Sequence, residues 1–263
     1  MSDERGPGAA GERIRVRAAG HTDTGPVRAA NEDALCLEAG LGLYAVADGM
    51  GGHRAGEVAA QLAIEALVEQ IGASRRPGFA WPFGRDDARD AAANELAHAV
   101  RVANARVVEA GERDPDLHGM GTTLTALALG PGSVAIASIG DSRAYLVRDG
   151  AVELLTHDDT WLATVLGREG AREAAARAHP MRHVLTSIVG AKDGAEPEVV
   201  AHDARPGDVF VLTTDGLHNV VDDATIGRLA VADGLEQAAE RLVGEALARR
   251  TTDNATVVLL RVE

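Results

Sequence analysis

Cysteine is nearly absent. The 263-residue chain has one, Cys36, so no intrachain disulfide can form. That fits a reducing compartment, and a cytoplasmic protein is the expectation. Aromatic residues make up only 3%, so the core has to be built from Ala, Val, Leu and Ile. Basic charge is also short. Lys and Arg number 26 against 40 Asp and Glu, a formal net charge of −14. A surface of that sign repels phosphate backbones and argues against a nucleic-acid partner. It also matches an anionic membrane poorly. No apolar run is long enough to span a bilayer, which argues against direct membrane insertion. The first residues, "MSDERGPGAAGER", start with acids and lack the apolar stretch of a signal peptide.

What remains is an ordinary soluble composition, 46% hydrophobic and 25% charged, in a chain long enough for a substantial core. Residues 1–12 read as a disordered tail, and residues 13–263 as one domain without an internal repeat or strong linker. Apolar alternation predicts strands at 14–20, 34–38 ("ALCLE") and 41–47 ("LGLYAVA"). Residues 57–71 predict a helix. Glu57, Gln61, Glu65 and Glu69 form its polar stripe, and Ala59, Leu62, Ala63, Ala66 and Leu67 the apolar one. A loop at 73–85 leads to a second helix at 87–110, with Leu96, Val100, Ala103 and Val107 on one face and Gly111 as its C-cap. Strands follow at 123–129, 134–139, 143–148 and 152–156, with "RDGA" (148–151) as a tight hairpin turn. Residues 157–190 read as an excursion from the sheet. A strand at 208–214, a helix at 235–250 and a strand at 255–262 close the chain. Strands cluster and helices fall into an early and a late group. This predicts an α+β fold: two antiparallel sheets packed as a sandwich, with helices on both outer faces.

Acids recur at strand ends. Asp48 follows "LYAVA", Asp141 follows "IASIG" and Asp215 follows "FVLTT"; Asp253 precedes the last strand, and Glu32 and Asp33 precede the second. Any one of them alone reads as a turn residue. If the sheets bring these ends to one rim, several carboxylates converge, and like charges that close are unfavourable without cations between them. Carboxylates and carbonyls without a Cys or His cluster describe a hard-metal site, for Mg²⁺ or Mn²⁺ rather than Zn²⁺. The glycines of "DGMGGH" (48–53) fit this picture, because the Gly49 carbonyl can approach the metal that Asp48 holds. As a phosphate-binding loop the same stretch fails. "GMGGHR" breaks the dinucleotide pattern at its last position, and Glu57 stands where a P-loop needs Lys.

Six blocks in order carry a resemblance. They are "TGPVRAANEDA" (24–34), "VADGMGGHRAGEVA" (46–59), "GMGTTLTAL" (119–127), "IGDSRAYLVRDG" (139–150), "LTTDGLHNVV" (212–221) and "TTDNATVVLL" (251–260). From about residue 14 to 263 the chain resembles the metal-dependent protein phosphatases of type 2C, in their compact bacterial form. The resemblance implies two Mn²⁺ or Mg²⁺ ions, with a third weakly bound, and hydrolysis of phosphoserine and phosphothreonine by in-line attack of a metal-bridging hydroxide. It implies that Asp48 bridges both metals, that Asp215 and Asp253 serve one and the Gly49 carbonyl the other. Glu32 and Asp33 would hold metal-bound waters, and Asp141 with Asp215 would line the third position. Arg28 would bind the substrate phosphate. His53 would either protonate the leaving oxygen or stabilise its loop.

Further roles follow from the same resemblance. Thr122 and Thr123 would hold the strand edge, Asn254 would orient the Asp253 carboxylate, Arg143 would be a structural ion-pair partner, and Cys36 a buried inert thiol. The 157–190 excursion falls where the family carries a flap beside the site. Relatives often have a small hydroxyl residue just after the "HPxR" arginine, where this chain has His183. The implied partners are phosphorylated proteins, including serine/threonine kinases and their targets, met by a monomer. Two other readings stay open: a non-catalytic phosphoprotein-binding module on the same fold, or a phosphatase of anti-sigma-factor antagonists.

Overall fold

Period-two alternation and small side chains decide how the layers stack. In the computed structural model, which describes residues 14–51, 55–170, 179, 181, 183–194, 196–232 and 234–263, eleven strands are found among the described residues. One sheet has the order β1 (Val16–Asp23), β11 (Ala255–Val262), β10 (Val209–Thr213), β7 (Arg143–Arg148), β8 (Ala151–Leu154). The other runs β2 (Asp33–Glu38), β3 (Leu43–Met50), β5 (Leu124–Leu129), β6 (Ser133–Ile139), β9 (Glu198–Asp203), with the two-residue β4 (Gly121–Thr122) pairing β3. Every pairing is antiparallel. The tail at 1–12 lies outside the described residues.

Three apolar layers hold the sheets. On β3, β5 and β6, Ala45, Ala47, Ala126, Ala128, Ala135 and Ala137 face outward and pack against α1 (Ala55–Ser74) and α2 (Ala91–Arg113). The alternate residues Tyr44, Val46, Leu127, Leu129, Val134 and Ile136 face inward and meet Leu146, Phe210, Leu212, Val258 and Leu260 of the other sheet. The outer face of that second sheet packs on α4 (Asp215–His218), α5 (Asp223–Ala230) and α6 (Leu235–Ala248). Alanine meets alanine at the first helix–sheet interface, so the layers approach closely without aromatic bulk. The expected sandwich with helices outside both sheets is what forms. Cys36 lies in it as expected: it is 5% exposed, and burial pushes its thiol up to about 12.

Three details differ from the sequence expectation. Helix α2 runs through Gly111 to Arg113 and is capped by Asp114, so Gly111 is not its C-cap; the turn at Leu117 instead packs against it, with the Leu117 carbonyl 3.1 Å from where a Cβ on Gly111 would lie. Strand β9 has no counterpart in the sequence reading. It is a half-exposed edge strand, and its apolar signal is correspondingly weak. The short α4 and α5 were also missed. The hairpin at "RDGA" forms as expected, with Asp149 at φ 51° and Gly150 at φ 80°, the two left-handed residues that a two-residue turn needs. Within the excursion, α3 (Trp161–Gly170) is broken at Gly167, and residues 171–178, 180 and 182 lie outside the described residues.

The strand ends that carry the acids fall on one rim. In register, Asp33 at the start of β2 lies opposite Asp48 in β3. The last residues of β10 pair with the start of β11, which brings Asp215 and Asp253 alongside. Asp141 sits in the short link from β6 to β7, where the chain passes from one sheet to the other.

Gly49 is fixed by its neighbours. A Cβ there would lie 2.1 Å from the Gly56 carbonyl oxygen and 2.6 Å from that of Glu32. Both obstacles are backbone and cannot rotate away. Gly49→Ala should therefore cost about 3 kcal/mol and lower the thermal midpoint by roughly 6–12 °C. Gly244→Ala, in α6 with open space around it, should instead stabilise the protein slightly, by roughly 0.5–1 kcal/mol. Calorimetry of both variants checks the contrast, and a Gly49→Ala protein as stable as the parent would refute the packing argument.

Candidate metal centre

The rim opens into a cleft of about 450 Å³ lined by Arg28, Glu32, Asp48, Gly49, Asp141, Asp215 and Asp253, among others. Of the expected site residues, these seven come together around one space. Asp33 sits behind them and does not line the cleft. His53 lies outside the described residues.

Backbone and hydroxyl contacts fix each acid. The Asp48 amide donates to Thr123 Oγ1 (3.0 Å), and the Asp48 carbonyl accepts from Thr122 Oγ1 (2.9 Å) and from the Thr123 amide (2.9 Å). The two threonines thus hold the end of β3 in place. Asp33 Oδ2 accepts from Thr214 Oγ1 (2.8 Å) and Thr256 Oγ1 (2.6 Å), while its buried Oδ1 has no hydrogen-bond partner. Asp215 Oδ2 accepts from Asn219 Nδ2 (3.0 Å), and its Oδ1 is likewise buried and unpartnered. The Gly49 amide donates to the Glu32 carbonyl (3.1 Å), which ties the 28–33 loop to β3.

Asn254 has a different task from the one expected. Its backbone amide, not its side chain, donates to Asp253 Oδ1 (2.9 Å). The side chain reaches the other way. Nδ2 donates to the carbonyls of Thr24 (2.8 Å) and Ala30 (3.0 Å), and Oδ1 accepts from the Glu32 amide (2.8 Å). One amide side chain therefore clamps the whole loop that carries Arg28 and Glu32. Sequence reasoning missed this, and missed Thr214 and Thr256; the only signal was polar residues adjoining acids at strand ends. Arg143 is a structural partner, as expected. It forms a two-pronged pair with Asp158, at 2.9 and 2.7 Å.

Electrostatics expose the strain of this arrangement. Burial, and then repulsion from Asp33, Asp215, Asp141 and Asp253, holds the Asp48 carboxyl well above the ordinary carboxylate range. Burial followed by Asp215 and Asp158 does the same to Asp141. Asp215 is raised by burial and by Asp253. Asp33 is pushed up to about 7, mainly by burial, against the pull of its two threonine hydroxyls. Opposed to this are Arg28, whose Nη2 lies 2.7 Å from Asp253 Oδ2, and Arg143, which draws the Asp141 carboxyl down. A set of crowded carboxylates with unpartnered buried oxygens is unstable alone and fits hard divalent cations, which would turn these repulsions into attraction.

The model of the protein phosphatase 2C family matches residues 25–252. The chain belongs to that family. It is 38% identical over 94% of its length to the serine/threonine protein phosphatase PstP of Mycobacterium tuberculosis, and spans 45% of that protein. It is 32% identical to the protein phosphatase PhpP of Streptococcus pneumoniae, over 91% of this chain and 94% of that one. Among solved structures, the M. tuberculosis PstP/Ppp phosphatase superposes with a TM-score of 0.81 at 38% identity, covering 94% of this chain and 99% of that one. The PstP catalytic domain in complex with two manganese ions gives 0.80 at 36%, covering 95% and 99%. The type 2C architecture, two antiparallel sheets flanked by helices, is therefore that of this chain. Among the described residues, no helix is long and apolar enough to cross a membrane.

The raised acids have a measurable sign. A carboxyl whose folded pKa exceeds its unfolded value favours the native state only while protonated. For Asp33 the penalty is absent below about pH 4, grows through the interval up to about 7, and is full above it; the raised carboxyls of Asp48, Asp141 and Asp215 add to it in the same direction. Chelator-treated protein should thus lose stability between pH 5 and pH 8, and saturating Mn²⁺ should flatten that fall. Urea midpoints at the two pH values, with and without Mn²⁺, test it. The same slope in both conditions would mean these acids do not share a cation site.

Proposed function

We propose that the chain is a metal-dependent serine/threonine protein phosphatase that hydrolyses phosphoserine and phosphothreonine in proteins. The observation that carries this reading is the convergence of Asp48, Asp141, Asp215 and Asp253, with Arg28 beside them, on one open cleft. A cleft of that charge binds no phosphoryl group unless cations intervene. When bound there, two divalent ions supply an activated water and neutralise phosphoryl oxygens.

The chain's own residues divide the remaining work. Asp48 sits centrally and would be shared by two ions, with Asp215 and Asp253 serving one and the Gly49 carbonyl the other. Glu32 at the cleft and Asp33 behind it would hold metal-bound waters, and Asp141 with Asp215 would offer an outer, weaker position. Mn²⁺ and Mg²⁺ both suit these donors. Arg28 is 47% exposed in its side chain and held at the lip by Asp253, so it can turn one edge of its guanidinium to a phosphate through parallel N–H bonds. A proton for the leaving serine or threonine oxygen is assigned to His53 from its place in the sequence. No nucleophilic side chain is required: the single cysteine is buried in β2, away from the cleft, with its thiol held neutral.

The non-catalytic binding module needs no intact acid set, and here the acids named above are all present and gathered. Phosphorylated proteins, including serine/threonine kinases and their targets, are the substrates this reading implies, met by a monomer in the cytoplasm.

Asp215→Asn should lower turnover of a phosphothreonine peptide by a hundredfold or more in Mn²⁺, about 3 kcal/mol in the barrier, with the fold unchanged by circular dichroism. Near-parental turnover would remove the acids from the chemistry. Arg28→Ala should act mainly on binding, raising KM and weakening competitive inhibition by inorganic phosphate roughly tenfold. Unchanged phosphate inhibition would show that Arg28 does not hold the phosphate.

A further inference from the structure

His183 stands between α3 and β9 at the lip of the cleft, 45% exposed in its side chain. Its Nδ1 lies 3.7 Å from Asp215 Oδ2. That is too long for a hydrogen bond. It is a natural separation for two ligands of one ion, which at bond lengths of about 2.1 Å stand no more than about 4.2 Å apart. Asp141, His183 and Asp215 each offer one donor atom, and all three atoms lie within 4.8 Å of one another. A closure of some tenths of an ångström brings them around a single ion.

Backbone contacts deliver the ring to this place. The Asp159 amide donates to the Gly140 carbonyl (2.8 Å), and the Asp159 carboxylate accepts from the Gly140 amide (3.0 Å). The Thr186 amide donates to the Asp159 carbonyl, and the Trp161 amide to the Val184 carbonyl, each at 2.8 Å. Thr160 and Leu185 form a β-bridge between them. Residues 159–161 thus lock the neighbour of Asp141 to the neighbour of His183. The imidazole faces Asp141 and Asp215 because three consecutive residues tie its segment to the turn that carries Asp141.

We propose that His183 is a metal ligand, completing with Asp141 and Asp215 the outer position of the centre, and that its nitrogen makes this position favour a transition-metal ion such as Zn²⁺ over Mg²⁺. The proposal rests on the reading that these acids hold metal. Its chemical basis is the donor set. Mg²⁺ keeps to oxygen donors and water in near-ideal octahedral geometry, whereas imidazole nitrogen suits the later divalent metals. A histidine here changes the metal preference of that one position and leaves the oxygen-only inner positions as they are.

Metal-stripped full-length protein, titrated calorimetrically with Zn²⁺ and separately with Mg²⁺, tests the selectivity. His183→Ala should weaken one Zn²⁺ step at least tenfold and change Mg²⁺ binding less than twofold. Pulsed electron paramagnetic resonance with Mn²⁺ tests ligation directly. The parent should show a directly bound nitrogen, which both His183→Ala and Asp141→Asn lose while the remaining ions stay bound. A nitrogen signal that is missing in the parent, or unchanged in His183→Ala, overturns the proposal and leaves the acid-held centre standing. An equal loss of Zn²⁺ and Mg²⁺ affinity overturns the selectivity. Failure of the parent to bind Mn²⁺, Zn²⁺ or Mg²⁺ at all removes the metal centre, and the proposed function with it.

Discussion

Repulsion between carboxylates is the constraint around which this molecule is arranged. Asp33 and Asp48 are opposite one another across β2 and β3, where like charges weaken a sheet. Asp141, Asp215 and Asp253 are then added to the same rim. A fold that only needed to be stable would not gather them. This one spends its threonines and its glycines on holding them there. Thr122 and Thr123 fix Asp48, and Thr214 and Thr256 fix Asp33. Gly49 and Gly56 let helix α1 come close enough to seal the back of the cleft. The hydrogen bonds that these hydroxyls donate to Asp33 favour the ionised form, but burial outweighs them. At neutral pH a divalent cation would satisfy the oxygens left without a partner.

The layers above and below serve that rim. Alanine-faced strands let α1 and α2 sit close to the first sheet, so the start of α1 packs against Gly49. The bulky inner faces set the spacing between the two sheets and so the gap that Asp141 bridges as the chain changes sheets. Asp48 lies in a strand of one sheet and Asp215 just after a strand of the other, yet Asp215 adds to the repulsion that raises both Asp48 and Asp141. The centre is therefore an inter-sheet contact, and the sandwich core controls its dimensions.

Much of this was legible in the residues. Strand alternation and three amphipathic helices gave the layered α+β architecture, because buried faces leave a period in the sequence. The acids at strand ends were legible as a group, since their shared position after apolar runs places them on one edge. What was not legible has a common physical cause. Strand β9 and the short helices α4 and α5 bury too little, or run too briefly, to impose a period. Gly111 looked like a helix end because glycine usually is one; here a neighbouring turn packs on it and the helix continues. Asn254 was assigned to the acid beside it, yet its side chain bonds residues more than 200 positions away. A pattern read along the chain does not show which way a side chain at a strand start turns.

The glycine loop shows how the two kinds of reading combine. From the sequence, the absence of a side chain at Gly49 was a way to let a metal approach. In the structure the space is taken by backbone on the other side: the carbonyls of Gly56 and Glu32 occupy the position a Cβ would need. Both accounts require glycine, but they place the requirement on different faces of the residue. The packing account has the wider consequence. It ties Asp48, the loop of Arg28 and Glu32, and the start of α1 into one rigid junction, through the Gly49 amide and the Asn254 clamp. A junction of that kind keeps the inner acids in place as ions come and go. It leaves the segment that carries His183, held to the centre by a few main-chain bonds through residues 159–161, as the part free to adjust around the outer ion.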